Sequence, residues 1–156
     1  YRSPENVVDS TKIKHQKHDL TFDLKTADTL TLSQLPGIGI GRAKMIINYK
    51  RKLGGYTSAQ QLLEIEEIPD SIITPLMQYA TANLDSIKTI KINKTSIRGL
   101  LNHPYINYDQ AKEIYQLRWD KAHNGTLKEE DLRQLKQLTP TELNKLLPYL
   151  DFTTYK

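Results

Sequence analysis

Residues 35–44 read LPGIGIGRAK, three glycines at alternate positions that run directly into Arg42 and Lys44. Glycine tolerates backbone conformations that other residues resist, and without a Cβ it lets a second molecule come close to the main chain. The stretch therefore predicts a site made of backbone. Upstream, Thr26 and Asp28 are suited to cap a short helix through Leu35, which Pro36 stops. Downstream, a longer amphipathic helix is expected from about Gly41 to Leu53, ended by Gly54-Gly55. On it Ala43, Ile46, Ile47 and Leu53 lie toward one side, while Lys44, Asn48, Arg51 and Lys52 share the other. The first is the expected core face and the second the expected outer face. Two more helical stretches are predicted near Ser58 to Ile65 and near Pro69 to Asn83. Apart from the short IKIN at 90–93, no segment alternates as a strand should, so the expected fold class is all-α.

The chain then repeats itself. A shift of 68 residues places Leu32 on Leu100, Pro36 on Pro104, Ile38 on Ile106, Ala43 on Ala111, Lys44 on Lys112 and Ile46 on Ile114. After a two-residue insertion the shift becomes 70, and Gly55 falls on Gly125 and Leu62 on Leu132. Two lobes of one plan are expected, at 22–83 and 84–156, related by internal duplication. Residues 1–21 are polar and lack periodicity, and are read as a tail or linker.

Composition bounds the rest. At 156 residues the chain suffices for one ordinary domain or two small ones. The 22 Lys and Arg exceed the 18 Asp and Glu by 4, a mild surplus that permits a polyanionic partner. With no cysteine there is neither a disulfide framework nor a thiolate metal site. No apolar run approaches the length of a membrane span. The start at Tyr1 rather than at methionine predicts an upstream targeting or anchoring piece.

A glycine hairpin directly before a basic helix turns main-chain N–H groups outward at the helix N-terminus, where unsatisfied donors and the helix dipole favour an anion. Phosphate fits, and Arg42 and Lys44 stand beside it. LSQLPGIGIGRAKMIINYK resembles the helix-hairpin-helix motif: an apolar residue, Gly-apolar-Gly, three residues, then Ala and an apolar helix. The wider stretch from Phe22 is similar to the lobe of ComEA-like competence and DNA-uptake proteins, over 22–80 clearly and over 90–150 in degenerate form. The resemblance implies two tandem helix-hairpin-helix lobes, small helical bundles of the SAM-domain-like kind. It also implies sequence-independent binding of the sugar-phosphate backbone of double-stranded DNA, and a monovalent cation sometimes seated on hairpin carbonyls, with no other cofactor. Carried over by position, Gly37, Ile38, Gly39 and Gly41 supply backbone contacts and Arg42 and Lys44 support them. Arg51, Lys52 and Lys112 are further supporting candidates. The second lobe departs from the pattern, with Tyr105 in place of Gly37 and Asn107 in place of Gly39. A ComEA-like context would place the lobes outside the cytoplasm behind an N-terminal anchor.

Catalysis and small-molecule substrates are not expected. The third glycine of a dinucleotide fingerprint would have to stand at Arg42, and no Gly-Lys-Ser/Thr ending makes a phosphate loop. His15 and His18 lie in the tail without a carboxylate partner, and His103 and His123 fall at positions that nothing marks in the first lobe, so no metal site is expected. Nor do a nucleophile, a base and an orienting acid assemble from spacing. Tyr49, Tyr79, Tyr105, Tyr108 and Tyr115 are suited to stack on bases, but at helical spacing they read as core and interlobe packing. The first lobe is charge-neutral, and the other reading of the chain is a scaffold that contacts a protein through the second lobe, with the glycines forming only a tight turn.

Overall fold

Helix α1 (Thr29–Ser33) begins where Asp28 caps it, its carboxylate accepting the Thr31 N–H at 2.7 Å. That bond holds the Asp28 carboxyl below its ordinary pKa. The computed structural model describes residues 21–121 and 126–154. All of the predicted tail but Thr21, together with His15, His18, His123 and Gly125, lies outside the described residues. Helix α2 (Gly39–Leu53) starts two residues before the predicted Gly41 and stops at Gly54. With φ of 93°, Gly54 takes the left-handed cap that returns its N–H to the Lys50 carbonyl at 3.0 Å.

The stretch expected to be helical near 58–65 is a 3₁₀ turn over Ala59–Glu64. Gln61 tightens it by folding its side-chain carbonyl back onto the N–H groups of Thr57 and Ser58, at 2.6 and 3.2 Å. Helix α3 (Asp70–Met77) is shorter than predicted, because the chain beyond it extends into β2 (Ala80–Thr81). This segment pairs in parallel with β1 (Phe22–Asp23), Phe22 opposite Ala80. The all-α expectation is supported: the protein is predominantly helical, and short parallel strand pairs are added to the helices.

The second half runs through β3 (Ile90–Lys91), α4 (Ile97–Leu101), α5 (Tyr108–Lys121), α6 (Glu129–Leu132), α7 (Pro140–Leu146), a 3₁₀ turn over Leu147–Tyr149 and β4 (Leu150–Asp151). Strands β3 and β4 are again parallel, Ile90 opposite Leu150. IKIN thus contributes β3, as its pattern suggested. The second half again places its helices and helical turns between two short strands, displaced by 68 to 70 residues from those of the first, with α6 where the first half has the 3₁₀ turn. No described helix is long and apolar enough to cross a membrane.

Buried side chains form two clusters. Leu24, Leu32, Ala43, Leu53, Leu62 and Ile73 centre the first, and Ile92, Leu100, Ala111, Ile114, Leu132 and Leu143 the second. Tyr149 breaks the division, because it belongs to the second half in sequence and to the first cluster in space. Around it a polar network joins the halves. The Tyr105 and Tyr49 hydroxyls both donate to Glu64 Oε2 at 2.7 Å. Gln61 Nε2 donates to the Tyr105 and Tyr149 hydroxyls at 2.8 Å each, and the Tyr149 hydroxyl donates to the Gly55 carbonyl at 2.8 Å. The Tyr105 and Tyr149 hydroxyls each both give and take a hydrogen bond and that of Tyr49 gives one, so none carries the cost of an unmet buried group. The main chain closes the seam beside it, where Lys88 N–H donates to the Gly54 carbonyl at 2.8 Å. A Cβ on Gly54 would lie 2.4 Å from the Lys88 carbonyl oxygen, so that contact requires glycine.

His103, unmarked in the sequence, lies 3% exposed at this seam. Its Nδ1 accepts the Tyr105 N–H at 3.2 Å, and its ring packs on Tyr149 with centroids 4.6 Å apart. Burial pushes its pKa down to about 4, while the Leu53 carbonyl and Glu64 favour the charged form and offset part of that shift. Below about pH 6.5 the unfolded chain takes up a proton that the folded protein refuses, so stability falls with pH and reaches its full loss near pH 4. The loss is at most about 3 kcal/mol. Urea unfolding at pH 7.5 and at pH 5 should show a lower midpoint at the acid value, and His103→Gln should flatten the difference.

Candidate nucleic-acid interface

The hairpin between α1 and α2 is held from behind and open in front. Leu35 and Ile38 are buried, and Ile38 N–H donates to the Leu35 carbonyl at 3.1 Å. At Gly37, φ 78°, an added Cβ would lie 3.1 Å from Ile72 on α3, so the back of the turn is packed. In front, Gly39, φ 61°, and Gly41 face space with no atom within 4 Å of an added Cβ. A large, flat partner is free to approach there.

Ile38 occupies the N-cap of α2 and offers no side-chain oxygen to the first turn. Helix geometry then leaves the N–H groups of Gly39, Ile40 and Gly41 without intrahelical acceptors. No acidic residue stands in that turn. Arg42 folds back, and its Nη1 donates to the Gly37 carbonyl at 2.6 Å, which holds the guanidinium against the hairpin with its other donors unspent. Lys44 is exposed one residue beyond Ala43, which is buried. The helix continues with Lys50, Arg51 and Lys52 and contains no Asp or Glu. Lys50 is used internally, its Nζ reaching the Leu24 and Lys25 carbonyls at 3.2 and 3.1 Å, whereas Arg51 and Lys52 remain exposed.

The same position in the second half is closed. Asn107 and Gln110 bond reciprocally, Gln110 N–H to Asn107 Oδ1 at 2.9 Å and Asn107 N–H to Gln110 Oε1 at 3.0 Å. Asp109 adds a carboxylate to the first turn of α5. Tyr105, which stands where the first half has Gly37, is turned to the seam and held by Glu64 and Gln61. Its hydroxyl pKa is raised, chiefly by burial and then by the Glu64 carboxylate. Lys112 is exposed on α5, in the other half from the open hairpin. Among the described residues no cluster of His, Asp and Glu is arranged to hold a metal ion.

Sequence reasoning did not find the return of Arg42 onto Gly37, nor the Gln61–Glu64–Tyr105–Tyr149 network. The first has no local signal beyond the five-residue spacing. The second was hinted at by Tyr105 in place of a glycine.

A family model for the helix-hairpin-helix motif matches residues 19–80, which is less than half of the chain and spans the first half of the fold. No curated protein and no solved structure gives a significant match. The matched segment is thus similar to the helix-hairpin-helix motif, which is generally associated with nucleic-acid binding.

The open helix start has a direct consequence for substitution. Gly39→Val would combine obstruction with strain at positive φ, whereas Gly41 has ordinary helical φ and empty space beside it. Gly41→Leu should therefore leave thermal stability unchanged or raised by up to about 1 kcal/mol.

Proposed function

We propose that the first half binds double-stranded DNA through its sugar-phosphate backbone, without reading sequence. The observation that carries this reading is the start of α2, where no side chain caps the helix, no acidic residue stands in the first turn and the space in front is clear, so that helix geometry leaves three backbone N–H groups to a partner. A phosphodiester accepts such donors and gains from the helix dipole, while Arg42 and Lys44 add charge beside it. Gly37, Ile38, Gly39 and Gly41 shape the hairpin. The N–H groups of Gly39 to Gly41 are the contacts, because Ile38 N–H is already committed to Leu35. We read Arg42 as supplying the positive charge at the Gly37 carbonyl, one of the hairpin oxygens to which the resemblance would bring a monovalent cation. No further cofactor enters this reading, and the role is binding rather than catalysis.

We also read the common spacing of the two halves as a tandem duplication in which the second hairpin exchanged phosphate binding for interlobe contact. The resemblance to ComEA-like proteins makes DNA uptake the process we propose for the binding. A second reading, protein contact through the second half, is favoured by one observation on α5. There Tyr108 and Trp119 are 61% and 64% exposed, and with Lys112 and Tyr115 they share one helical face.

Fluorescence anisotropy of a labelled duplex of about 20 base pairs decides between the two readings. Backbone binding predicts roughly micromolar affinity, indifference to scrambling of the sequence, and a fall with salt at a log–log slope of about −2 or steeper. Absence of binding at low salt would contradict it and turn the search to a partner for α5.

A further inference from the structure

The second half lacks an open hairpin, yet it contributes a lysine to a cleft at the far end of α2. The cleft has a volume of about 660 Å³ and lies where the halves meet. Arg51, Lys52 and Lys88 line it, with Thr89 and Asn102 among its polar walls, and among the described residues no Asp or Glu lines it. A neighbouring cleft of about 490 Å³ shares Arg51, Gly54 and Lys88, adds Lys25 and Lys50, and among the described residues is likewise lined by no carboxylate. Among the described residues, none of Arg51, Lys52 and Lys88 takes part in an ion pair. The other side of α2 is different, because there Lys52 shares a cleft with Glu64, Glu66 and Glu67. The cationic field is thus confined to the side of Arg51 and Lys88.

Lys88 is held in place by the main chain. Its N–H donates to the Gly54 carbonyl, and its own carbonyl lies against Gly54, so the seam fixes its position relative to the C-terminus of α2. Lys44, Asn48 and Arg51 lie on one exposed face between the hairpin and this cleft. With fifteen residues, α2 separates its two ends by about 22 Å, roughly the length of six or seven base pairs. A small anion would occupy one end only, whereas a continuous polyanion is able to contact both.

We propose that the cleft between the halves is a second phosphate-binding site, used by the same nucleic-acid backbone that contacts the hairpin. This inference rests on the reading given under the proposed function and extends it: the second half grips through Lys88 at the seam, and its own hairpin is not used. The strand runs along the outer face of α2 from Gly39 to Arg51 and crosses onto Lys88. Neutralising phosphates at both ends gives a steeper salt dependence than the hairpin alone provides.

The test uses the full chain and a labelled duplex of about 20 base pairs, titrated at several salt concentrations. Arg51→Gln/Lys88→Gln removes two exposed charges and leaves the hairpin intact, while Gly41→Leu obstructs the hairpin and leaves the cleft intact. The double variant should bind about tenfold more weakly near 0.1 M salt, and its log–log salt slope should be shallower by roughly 2. Unchanged affinity and slope in the double variant, with binding lost in Gly41→Leu, would overturn the second site and leave the hairpin reading standing. Binding lost in the double variant but unchanged in Gly41→Leu would support the cleft and overturn the hairpin. Binding unchanged in both would overturn both.

Discussion

A helix start without a cap governs this protein. The residue before α2 is Ile38, whose side chain is needed in the core, so it cannot serve as the Ser, Thr, Asp or Asn that would otherwise satisfy the first turn. Such a cap is typically worth about 1 kcal/mol, and here that stabilisation is forgone. What remains is a row of backbone donors with glycine on either side of Ile40 and clear space beyond. The constraint also fixes the neighbours. Gly37 and Gly39 must turn through positive φ to bring Ile38 inward and the helix outward, and Arg42 then finds the Gly37 carbonyl within reach.

The second half shows what happens when that constraint is relieved. Asn107 and Gln110 close the start of α5 with a reciprocal pair, and Asp109 places a negative charge where the first half has none. Tyr105 then projects from a turn that no longer needs glycine, and it meets Glu64 and Gln61 across the seam. Tyr149, from the last turn of the described chain, completes the junction by entering the first core. One arrangement of helices thus presents backbone in the first half and clasps its neighbour in the second. The clasp holds Lys88 beside the C-terminus of α2, where the cationic residues of both halves converge.

Much of this was legible because it depends on local rules. Gly54 marks the end of α2 by its left-handed conformation, Asp28 marks the start of α1 by its capping oxygen, and the periodic placement of Ala43, Ile46 and Leu53 marks the buried face. The paired strands were not legible in the first half, since two-residue strands carry no period. Their existence depends on Phe22 meeting Ala80 across the fold, which also cut the helix predicted to Asn83 short at Met77. The 3₁₀ turn over 59–64 depends on one side chain, Gln61, returning to its own N-terminus. For the candidate site, spacing alone points to the glycines, Arg42 and Lys44, whereas Lys88 comes into view only with the contact between the halves. The burial of His103 also follows from contacts between halves and has no local signature.

The central claim is that the N–H groups at the start of α2 meet phosphate. Backbone amide NMR shifts, followed while a short unlabelled duplex is added to the ¹⁵N-labelled protein, observe those groups directly. The account predicts that the amides of Gly39, Ile40 and Gly41 shift together and saturably, while those of Tyr108 and Asp109 at the closed start of α5 stay in place. Saturable shifts elsewhere, with the Gly39 to Gly41 amides unmoved, would contradict it.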